Sequence, residues 1–494
     1  MIKTKPFISW ILLSVVFTLL FYKQYIGLNF LFFELLLLFT ARNIYGCFIQ
    51  SVQAKILLIL LLSSLIAVVI VNSALAIVAN IIFLLLLAGW LAQHQLPNLM
   101  LASLSVVRNI FTAPIKGAIG LLNVISKQQD GRFRAVRIFL FLIVLLVTLF
   151  LFISVYASAS PWFGKLSEAF LERINEWIVQ INIEWLPTFI LGILLTSLFL
   201  FSGAEKLLSY FEQKPDAMPL KAPVESTKLF RGGAIVLVIS LNLMLLIVNW
   251  FDLKNVWLFF EWNGDFLKQF VHEGTYMLLF SVALAAAIML VIYSNASTTI
   301  QKDKWLAGLS YFWIAQNIFL VFSVGMRNYW YMSYFALAYK RIAVVFVLIL
   351  LLAGLVLLLW KIKNQRSVYW LIKQSSLVFF LIFGIAAIFN WDGIIARYNL
   401  AHYQKSFVHF DFLVQLSGKT LPVLDKTKAE LYRIEEAQQQ LFFLEGDFMN
   451  ADEFHKVVQK QKTVFLNEQQ EKSWLSWNYA DYRAAGKLNS PAAP

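Results

Sequence analysis

Long runs of apolar residues fill most of the first 390 positions of this 494-residue chain. An α-helix needs about 20 mostly apolar residues to cross the ~30 Å hydrocarbon core of a bilayer, and several runs reach roughly that length. The composition agrees, because 60% of the residues are hydrophobic and 14% are charged, whereas soluble domains average about 25% charged residues. We therefore predict an all-α fold: a polytopic transmembrane helix bundle with a small C-terminal extramembrane helical domain.

Eleven membrane spans are predicted from these runs. They cover approximately residues 7–22, 25–40, 56–72, 75–91, 138–156, 187–202, 231–250, 274–293, 305–324, 342–360 and 373–389. Only Tyr22-Lys23-Gln24 separates the first two, so the exact count near residues 7–40 is open. The predicted segments are N-terminal transmembrane helices (1–95), a cytoplasmic interfacial segment (96–137), transmembrane helices with an outer amphipathic helix (138–202), a cytoplasmic linker (203–230), a C-terminal transmembrane bundle (231–390) and a soluble helical tail (391–494).

The interfacial segment is too polar to cross a bilayer. It contains Pro97, Pro114, Gly117 and Gly120, and these residue types break or weaken helices. We expect it to form interrupted helices that lie in the cytoplasmic interface.

The distribution of Lys and Arg predicts which side of the membrane each connection faces. With the N-terminus inside, the inner connections carry 21 Lys and Arg residues and the outer connections carry 8. Because basic loops face the cytoplasm, we predict a cell (inner) membrane protein with a cytoplasmic N-terminus and an extracytoplasmic tail. The net charge of +13 then reflects basic loops that face anionic lipid headgroups, and no nucleic-acid partner is expected.

The stretch from Asn390 to Leu400 divides the apolar part of the chain from a charge-balanced tail. Asn390 and Asp392 are costly to leave unpaired in hydrocarbon. Trp391 and Tyr398 are aromatic residues of the kind favoured at the headgroup level. This stretch therefore predicts a membrane exit, followed by about 95 residues that form three or four helices.

No motif for a common active site occurs in the sequence. Walker, Gly-x-Ser-x-Gly, His-Glu-x-x-His and paired-cysteine patterns are missing, and Cys47 is the only cysteine. His402 and His409 lie seven residues apart, but two histidines without a third ligand make a weak metal site. We predict no catalytic residue, no metal site and no cofactor.

Short patches carry a resemblance to a known family. The first patch fits Asn-x-Asp-x-x-Ile-Ala-x-x-Asn through Asn390, Asp392, Ile395, Ala396 and Asn399. The second fits a pattern of two arginines fourteen apart through Arg327, Tyr331, Leu337 and Arg341, with Ala336 and Ala338 where that pattern has Gly and Thr. The third, Ala159 to Phe163, is similar to Ala-Asp-Pro-x-Phe, with Ser160 in place of Asp.

These patches resemble an uncharacterised family of bacterial multi-pass membrane proteins, the domain of unknown function 4153/4173 group. Further similarity follows in the tail, at Asp411 to Leu413, at Pro422 and at Trp474 to Arg483. The resemblance covers about residues 130–490. It implies a multi-pass membrane protein with an outward soluble tail, and it implies no reaction.

Arg327 and Arg341 flank an aromatic segment that contains Tyr331. The planar fork of arginine binds carboxylates and phosphates, so this pair could hold an anionic headgroup or a carboxylate at the outer face. Alternatively, the two arginines could pair with Asp392 or Glu273 and anchor helix ends. The candidate ligand-binding or partner-binding residues are Arg327, Tyr331, Arg341, Asn390, Asp392, Arg397 and Asn399.

Three polar residues are predicted inside membrane spans. Gln316 and Asn317 lie near the middle of the ninth span, where amides commonly make interhelical hydrogen bonds. Glu34 lies inside the second apolar run, and an intramembrane acid is a functional hypothesis by default. Proton coupling needs a partner, and the first span offers only Ser14 and Thr18; a structural or near-interface Glu34 is the alternative.

Three function classes remain open from the sequence. The leading hypothesis is a non-catalytic membrane scaffold or sensor whose outward tail binds a protein partner. The first alternative is a secondary transporter or permease for a small anionic solute, indicated by Gln316, Asn317 and the two arginines. The second is a lipid-modifying membrane enzyme with an outward cluster around Arg327, His272 and Asp392.

Overall fold

The computed structural model describes residues 5–46, 51–91, 99–126, 145, 149, 152–154, 156–180, 183–201, 227–260, 264–294, 303–441 and 448–490. Most of the predicted span 138–156 and residues 203–226 of the predicted linker lie outside this part of the chain. The described part contains helices and no strand, which confirms the all-α class.

Eight helices in the described ranges are long and apolar enough to cross a membrane. They are Leu28–Tyr45, Val52–Ile70, Ala74–Leu91, Arg231–Leu258, Tyr276–Tyr293, Lys304–Phe335, Tyr339–Lys363 and Val368–Ala387. Each coincides with a predicted span. The predicted spans 7–22 and 187–202 correspond to the shorter apolar helices Pro6–Phe21 and Leu186–Leu200. The fold is therefore an all-α polytopic helix bundle, and the total of eleven spans stays a prediction.

The chain forms two compact units. The first unit comprises Met1–Ser209 together with Lys472–Asn478, and the second comprises Tyr210–Glu471 together with Tyr479–Pro494. The helices of the first unit are α1 (Lys5–Phe21), α2 (Leu28–Tyr45), α3 (Val52–Ile70), α4 (Ala74–Leu91), α5 (Leu99–Ser126), α6 (Pro161–Gln180) and α7 (Leu186–Leu200).

Helix α5 shows that one expectation from the sequence was wrong. It continues unbroken through Pro114, Gly117 and Gly120 and packs on α4 and α7. The glycines serve close packing: a Cβ atom would lie 2.7 Å from the Phe201 ring at Gly117 and 2.6 Å from the Phe7 ring at Gly120. Those rings occupy the space that a side chain would fill. The glycines therefore let the rings pack against α5, and they do not end the helix.

The second unit contains the C-terminal membrane bundle. Its membrane helices are α8 (Thr227–Asp252), which a π-helical turn extends through Leu253–Leu258, α9 (Gly264–Ser294), α10 (Lys304–Phe335), α11 (Tyr339–Lys363) and α12 (Val368–Ala387). Side-chain hydroxyls or carboxylates cap helix starts in both units: Ser51 accepts from Ala54, Asp303 from Trp305 and Leu306, and Ser367 from Trp370. Such capping satisfies backbone N–H groups that the helix itself leaves without partners.

Helices α8 and α10 run parallel. Arg231 at the start of α8 pairs with Asp303, Asn242 bonds Gln316, and Asp252 near the end of α8 pairs with Arg327. Because α9 lies between them in the chain, two parallel helices are the arrangement expected of three successive crossings. Apolar side chains such as Leu306, Trp313 and Val324 of α10 fill the core of this bundle.

The tail folds as a small helical domain within the second unit. Its helices are α13 (Trp391–Ala401), α14 (Phe410–Leu413), α15 (Leu421–Leu424), α16 (Lys428–Leu441), α17 (Ala451–Glu471) and α18 (Tyr479–Asn489). One apolar core joins them, with Leu413, Phe454 and Ile395 fully buried. Leu337 and Ile342, which flank the α10–α11 connection, pack against this core. The tail domain is therefore fixed to that connection.

Candidate functional site

The connection between α10 and α11 is a tight turn. Helix α10 ends at Phe335, and α11 begins at Tyr339, so three residues reverse the chain. Ala336 has φ 59°, in the left-handed region that favours glycine. This chain therefore makes the turn with an alanine in a conformation that glycine adopts more readily.

Arg341 closes this turn from α11. Its Nη1 atom donates hydrogen bonds to the carbonyl oxygens of Phe335 and Ala336. Its guanidinium lies over the Tyr331 ring, 4.5 Å from the ring centroid. A cation at the carboxyl end of a helix stabilises the helix dipole, and the ring contact adds a cation–π attraction. Arg341 therefore stabilises the carboxyl end of α10.

Asn399 of α13 binds the middle residue of the turn. Its Oδ1 accepts a hydrogen bond from the Leu337 N–H at 2.9 Å, and its Nδ2 donates to the Leu337 carbonyl oxygen at 3.0 Å. Asn399 is 2% exposed. The side-chain amide thus satisfies both backbone groups of Leu337, which no helix or strand could satisfy there.

The start of α13 is held by the other residues of the same patch. Asn390 caps the helix by accepting from the Gly393 N–H at 3.0 Å. Asp392 accepts hydrogen bonds from the Tyr339 hydroxyl at 2.6 Å and from the Ser417 hydroxyl. Arg397 donates from Nε to the Gly393 carbonyl at 2.9 Å and is exposed. Asp392 of α13 thereby joins the start of α11 to Ser417, which lies further along the tail domain.

Arg327 lies one helical turn before Tyr331, and its carboxylate partner is Asp252. Both residues are buried, with 7% and 4% exposure. The sequence interpretation had offered Asp392 or Glu273 as partners for the arginines, so the ion pair found here differs from it. The pair forms where α8 passes into its π-helical turn, beside Trp257, which donates to Ser323 at 3.0 Å.

A row of polar contacts continues from this ion pair along α8 and α10. Gln316 donates to the Asn242 side chain at 2.6 Å, and Asn249 donates to the Gln316 carbonyl oxygen at 3.2 Å. Asn317 donates to the carbonyl oxygen of Trp313 in its own helix, at 2.8 Å. Of the two amides predicted in the ninth span, Gln316 therefore forms a hydrogen bond between helices and Asn317 forms one within its own helix.

The structure brings together most of the predicted patch. Arg341, Tyr331, Asp392 and Asn399 meet around the turn, whereas Gln316 lies 20 residues before Ala336, roughly five helical turns away. The sequence interpretation missed Asp252 and Asn242. A signal for them exists, because Asn242, Asn249 and Asp252 recur at intervals of seven and three residues on an otherwise apolar helix, the spacing of one helix face.

Glu34 contacts Asn80, which in turn contacts Ser64, and the sequence interpretation missed both of these residues. Asn80 Nδ2 lies 3.3 Å from Glu34 Oε2 and 3.3 Å from Ser64 Oγ. All three residues are buried and belong to the first unit. The candidate partner of Glu34 is thus an amide on α4, not a group on the first helix.

The described residues contain no group of three or more His, Cys, Asp or Glu side chains that could hold a metal ion. His402 stacks on Tyr398, and its Nδ1 lies 2.8 Å from the Tyr398 carbonyl oxygen. Burial lowers the pKa of His409, the charge of Asp411 raises it, and the charge of Arg341 lowers it, with a net lowering. His409 is therefore mainly neutral near pH 7.

A family model described as domain of unknown function (DUF4153) matches residues 7–427, and the chain belongs to this family. No curated protein and no solved structure matches the chain. With its apolar helices, this makes the chain an integral membrane protein of unassigned biochemical role.

Proposed function

We propose that this member of an unassigned membrane family is a non-catalytic scaffold or sensor whose tail domain binds a protein partner. The observation that carries the proposal is the two-hydrogen-bond contact between Asn399 and Leu337, together with the shared apolar core. This contact holds the tail domain on the α10–α11 turn. A partner bound to the tail would therefore act on the end of two membrane helices.

The polar groups around the turn support a structural role over catalysis. Arg341 binds two carbonyl oxygens, Asp392 accepts two hydroxyl groups, and Arg327 pairs with Asp252. A catalytic acid or base has to reach a substrate proton, and these side chains are occupied by neighbouring groups. The same engagement argues against the lipid-modifying cluster around Arg327 and Asp392.

The outer helices of the tail offer the surface for a partner. On α16 and α17, Asp452 binds both Lys428, at 2.9 Å, and Tyr432, at 2.7 Å. Tyr432 is 46% exposed, and Tyr482 on α18 is 63% exposed. Tyrosine is enriched in protein interfaces and among the residues that contribute most to binding. The proposed partner is therefore a folded protein rather than a strongly charged polymer.

The proposed sidedness places this domain outside the cell (inner) membrane. The tail domain contacts the α10–α11 turn, and two membrane-length helices, α11 and α12, separate them in the chain. Two crossings return the chain to the side it left, so turn and tail belong on one side. The excess of Lys and Arg in the opposite connections supports the outer side, with anionic lipid headgroups bound at the basic loops.

The test is crosslinking in intact cells with a photoreactive residue at Tyr432 or Tyr482. A matched control places the same residue at Phe379, a 46% exposed position in α12. The proposal expects a discrete protein adduct at the tail positions, and none at Phe379. Tail positions that yield no protein adduct in growing cells would contradict it.

Transport of a small anionic solute is the second candidate, favoured by the row of amides along α8 and α10. Transport needs water or solute to reach Gln316. The test replaces Cys47 with Ser and Gln316 with Cys, then applies a water-soluble thiol reagent. Labelling that an anionic solute blocks would support transport, and an unreactive thiol in a folded protein would exclude this route.

A further inference from the structure

Three helices of the first unit place polar side chains at the same depth. Glu34 lies six residues after the start of α2, Ser64 six residues before the end of α3, and Asn80 six residues after the start of α4. At 1.5 Å per residue, each lies about 9 Å from its helix end. Glu34 and Ser64 are 1% exposed and Asn80 is 0% exposed. They form one enclosed polar layer.

The hydrogen bonds of this layer leave two complementary atoms without partners. Asn80 Nδ2 donates to Glu34 Oε2 and to Ser64 Oγ, at 3.3 Å each, and Ser64 Oγ donates to the Leu61 carbonyl at 2.8 Å. Glu34 Oε1 and Asn80 Oδ1 are buried and have no hydrogen-bond partner. Both are acceptors as long as Glu34 is ionised. One proton on Oε1 makes it a donor for an acceptor such as Asn80 Oδ1.

In the described part of the chain, no basic side chain forms an ion pair with the Glu34 carboxylate. Helices α4 and α7 contain no charged residue, and α5, which packs on α4, carries Arg108 and Lys116, neither of which pairs with Glu34. Helix α1 has one charged residue, Lys5, and α3 has one, Lys55. Besides Glu34, α2 has only Arg42. Arg42 lies eight residues beyond Glu34, and Lys55 nine residues before Ser64, so along the helices both are about 12–14 Å away. Lys472 lies over the Tyr25 ring in the α1–α2 loop.

An apolar layer covers the polar layer on the side of the α1–α2 loop. It consists of Phe30, Ala67, Val68, Ala76 and Ile77, which lie about one helical turn closer to that loop than the polar layer, and of Ile26 in the loop itself. The loop above it is held by residues 472–478: the Leu28 N–H donates to the Trp477 carbonyl at 3.1 Å, and the Tyr25 N–H donates to Ser476 Oγ at 2.9 Å. Access to Glu34 from this side therefore requires these apolar side chains to separate.

We infer that Glu34, Asn80 and Ser64 form a proton-binding site inside the first unit. The proton resides on Glu34 Oε1 and is shared with Asn80 Oδ1, while Asn80 Nδ2 donates to Glu34 Oε2. The resulting acid–amide pair has two hydrogen bonds and no net charge, which suits its apolar surroundings. An alkali cation fits less well, because Asn80 presents N–H donors rather than its oxygen to Glu34 and Ser64. This inference does not depend on the proposed role of the tail.

The first test labels the full-length protein in lipid nanodiscs with dicyclohexylcarbodiimide, which reacts with protonated carboxyl groups in apolar surroundings. The adduct on the Glu34 peptide is expected near neutral pH, and above the titration midpoint its rate falls about tenfold per pH unit. Glu184, which pairs with Lys23 outside the spans, is the internal control and stays unlabelled. Absence of the Glu34 adduct, or protection by Na⁺ at constant pH, would overturn the inference.

The second test uses infrared spectra of the same preparation at neutral pH. Glu34→Gln removes one protonated-carboxyl C=O band, and Asn80→Leu moves that band to higher wavenumber because a hydrogen bond is lost. Ser63→Ala is the matched control, since Ser63 bonds the Leu60 carbonyl of its own helix, and it leaves the band unchanged. Spectra in which Glu34→Gln removes only a carboxylate band would show an ionised Glu34 and contradict the site.

Discussion

Asn399 and Leu337 are 62 residues apart in the chain and are joined by two hydrogen bonds. The amide of Asn399 supplies the donor and the acceptor that the backbone of Leu337 would otherwise lack. We expect Asn399→Leu to leave both partly buried groups unsatisfied and to destabilise the docked tail by about 2–6 kcal/mol, at about 1–3 kcal/mol per group. The measurement is proteolysis of the tail in the purified full-length protein.

The control for this change is Asn364→Leu. Asn364 is exposed and bonds only the Trp360 carbonyl four residues earlier. Its variant should keep wild-type resistance to protease. Equal sensitivity of the two variants would mean that the tail is not held through Leu337.

The buried pair Asp252–Arg327 predicts a non-additive double mutant. Arg327→Met alone leaves a buried carboxylate without its cation, which costs about 3–5 kcal/mol, whereas the double variant with Asp252→Leu removes both charges and costs little. Thermal unfolding of the single and double variants forms the cycle. If the double variant lost as much stability as the sum of the single variants, the pair would not be coupled.

Ala336 predicts a stabilising substitution. At φ 59°, an L-residue with a Cβ is strained by about 1–2 kcal/mol, and glycine gives back part of this through its greater flexibility when unfolded. Ala336→Gly should therefore raise stability by about 0.5–1 kcal/mol. Ala338, with φ −148°, is the control, and Ala338→Gly should lower stability slightly. The measurement is the melting temperature of each variant, and a lower value for Ala336→Gly would refute the strain.

Gly27 predicts how tightly residues 472–478 hold the α1–α2 loop. A Cβ atom at Gly27 would lie 2.4 Å from the Trp477 carbonyl oxygen, which belongs to the backbone and cannot rotate away. Gly27→Ala should separate this contact at a cost of about 1–3 kcal/mol, and the amides of residues 472–478 should then exchange hydrogen faster. Gly308→Ala is the control, because nothing lies within 4 Å of its Cβ position.

Asp303 predicts an acid-dependent stability term. Burial raises the pKa of Asp303. Hydrogen bonds from Arg231 and from the N–H groups of Leu306 and Trp305 lower the pKa by more than burial raises it, so the net shift is downward. A lowered folded-state pKa stabilises the protein above the unfolded value of about 3.9, and this contribution is lost as pH falls through the folded value. Asp303→Asn keeps the helix cap, so it should lower the melting temperature at pH 7 and lower it less at pH 3. An equal loss at both values would show that charge is not involved.

The sequence by itself determined the helix positions, because membrane-length apolar runs are a local property that hydrocarbon selects whatever the neighbours are. The predicted spans coincide with eight such helices, and the capping of α13 by Asn390 lies where the membrane exit was predicted. The sequence also identified Arg341 and Asn399 as members of the polar patch.

Only the tertiary structure decided which polar groups meet. Arg327 and Asp252 are 75 residues apart, and Glu34 and Asn80 are 46 residues apart. Which helices become neighbours depends on packing between apolar faces, and those faces are chemically too alike to encode a partner. The left-handed turn at Ala336 was hidden for a related reason, because alanine favours helix and only the contacts of Arg341 and Asn399 hold it there.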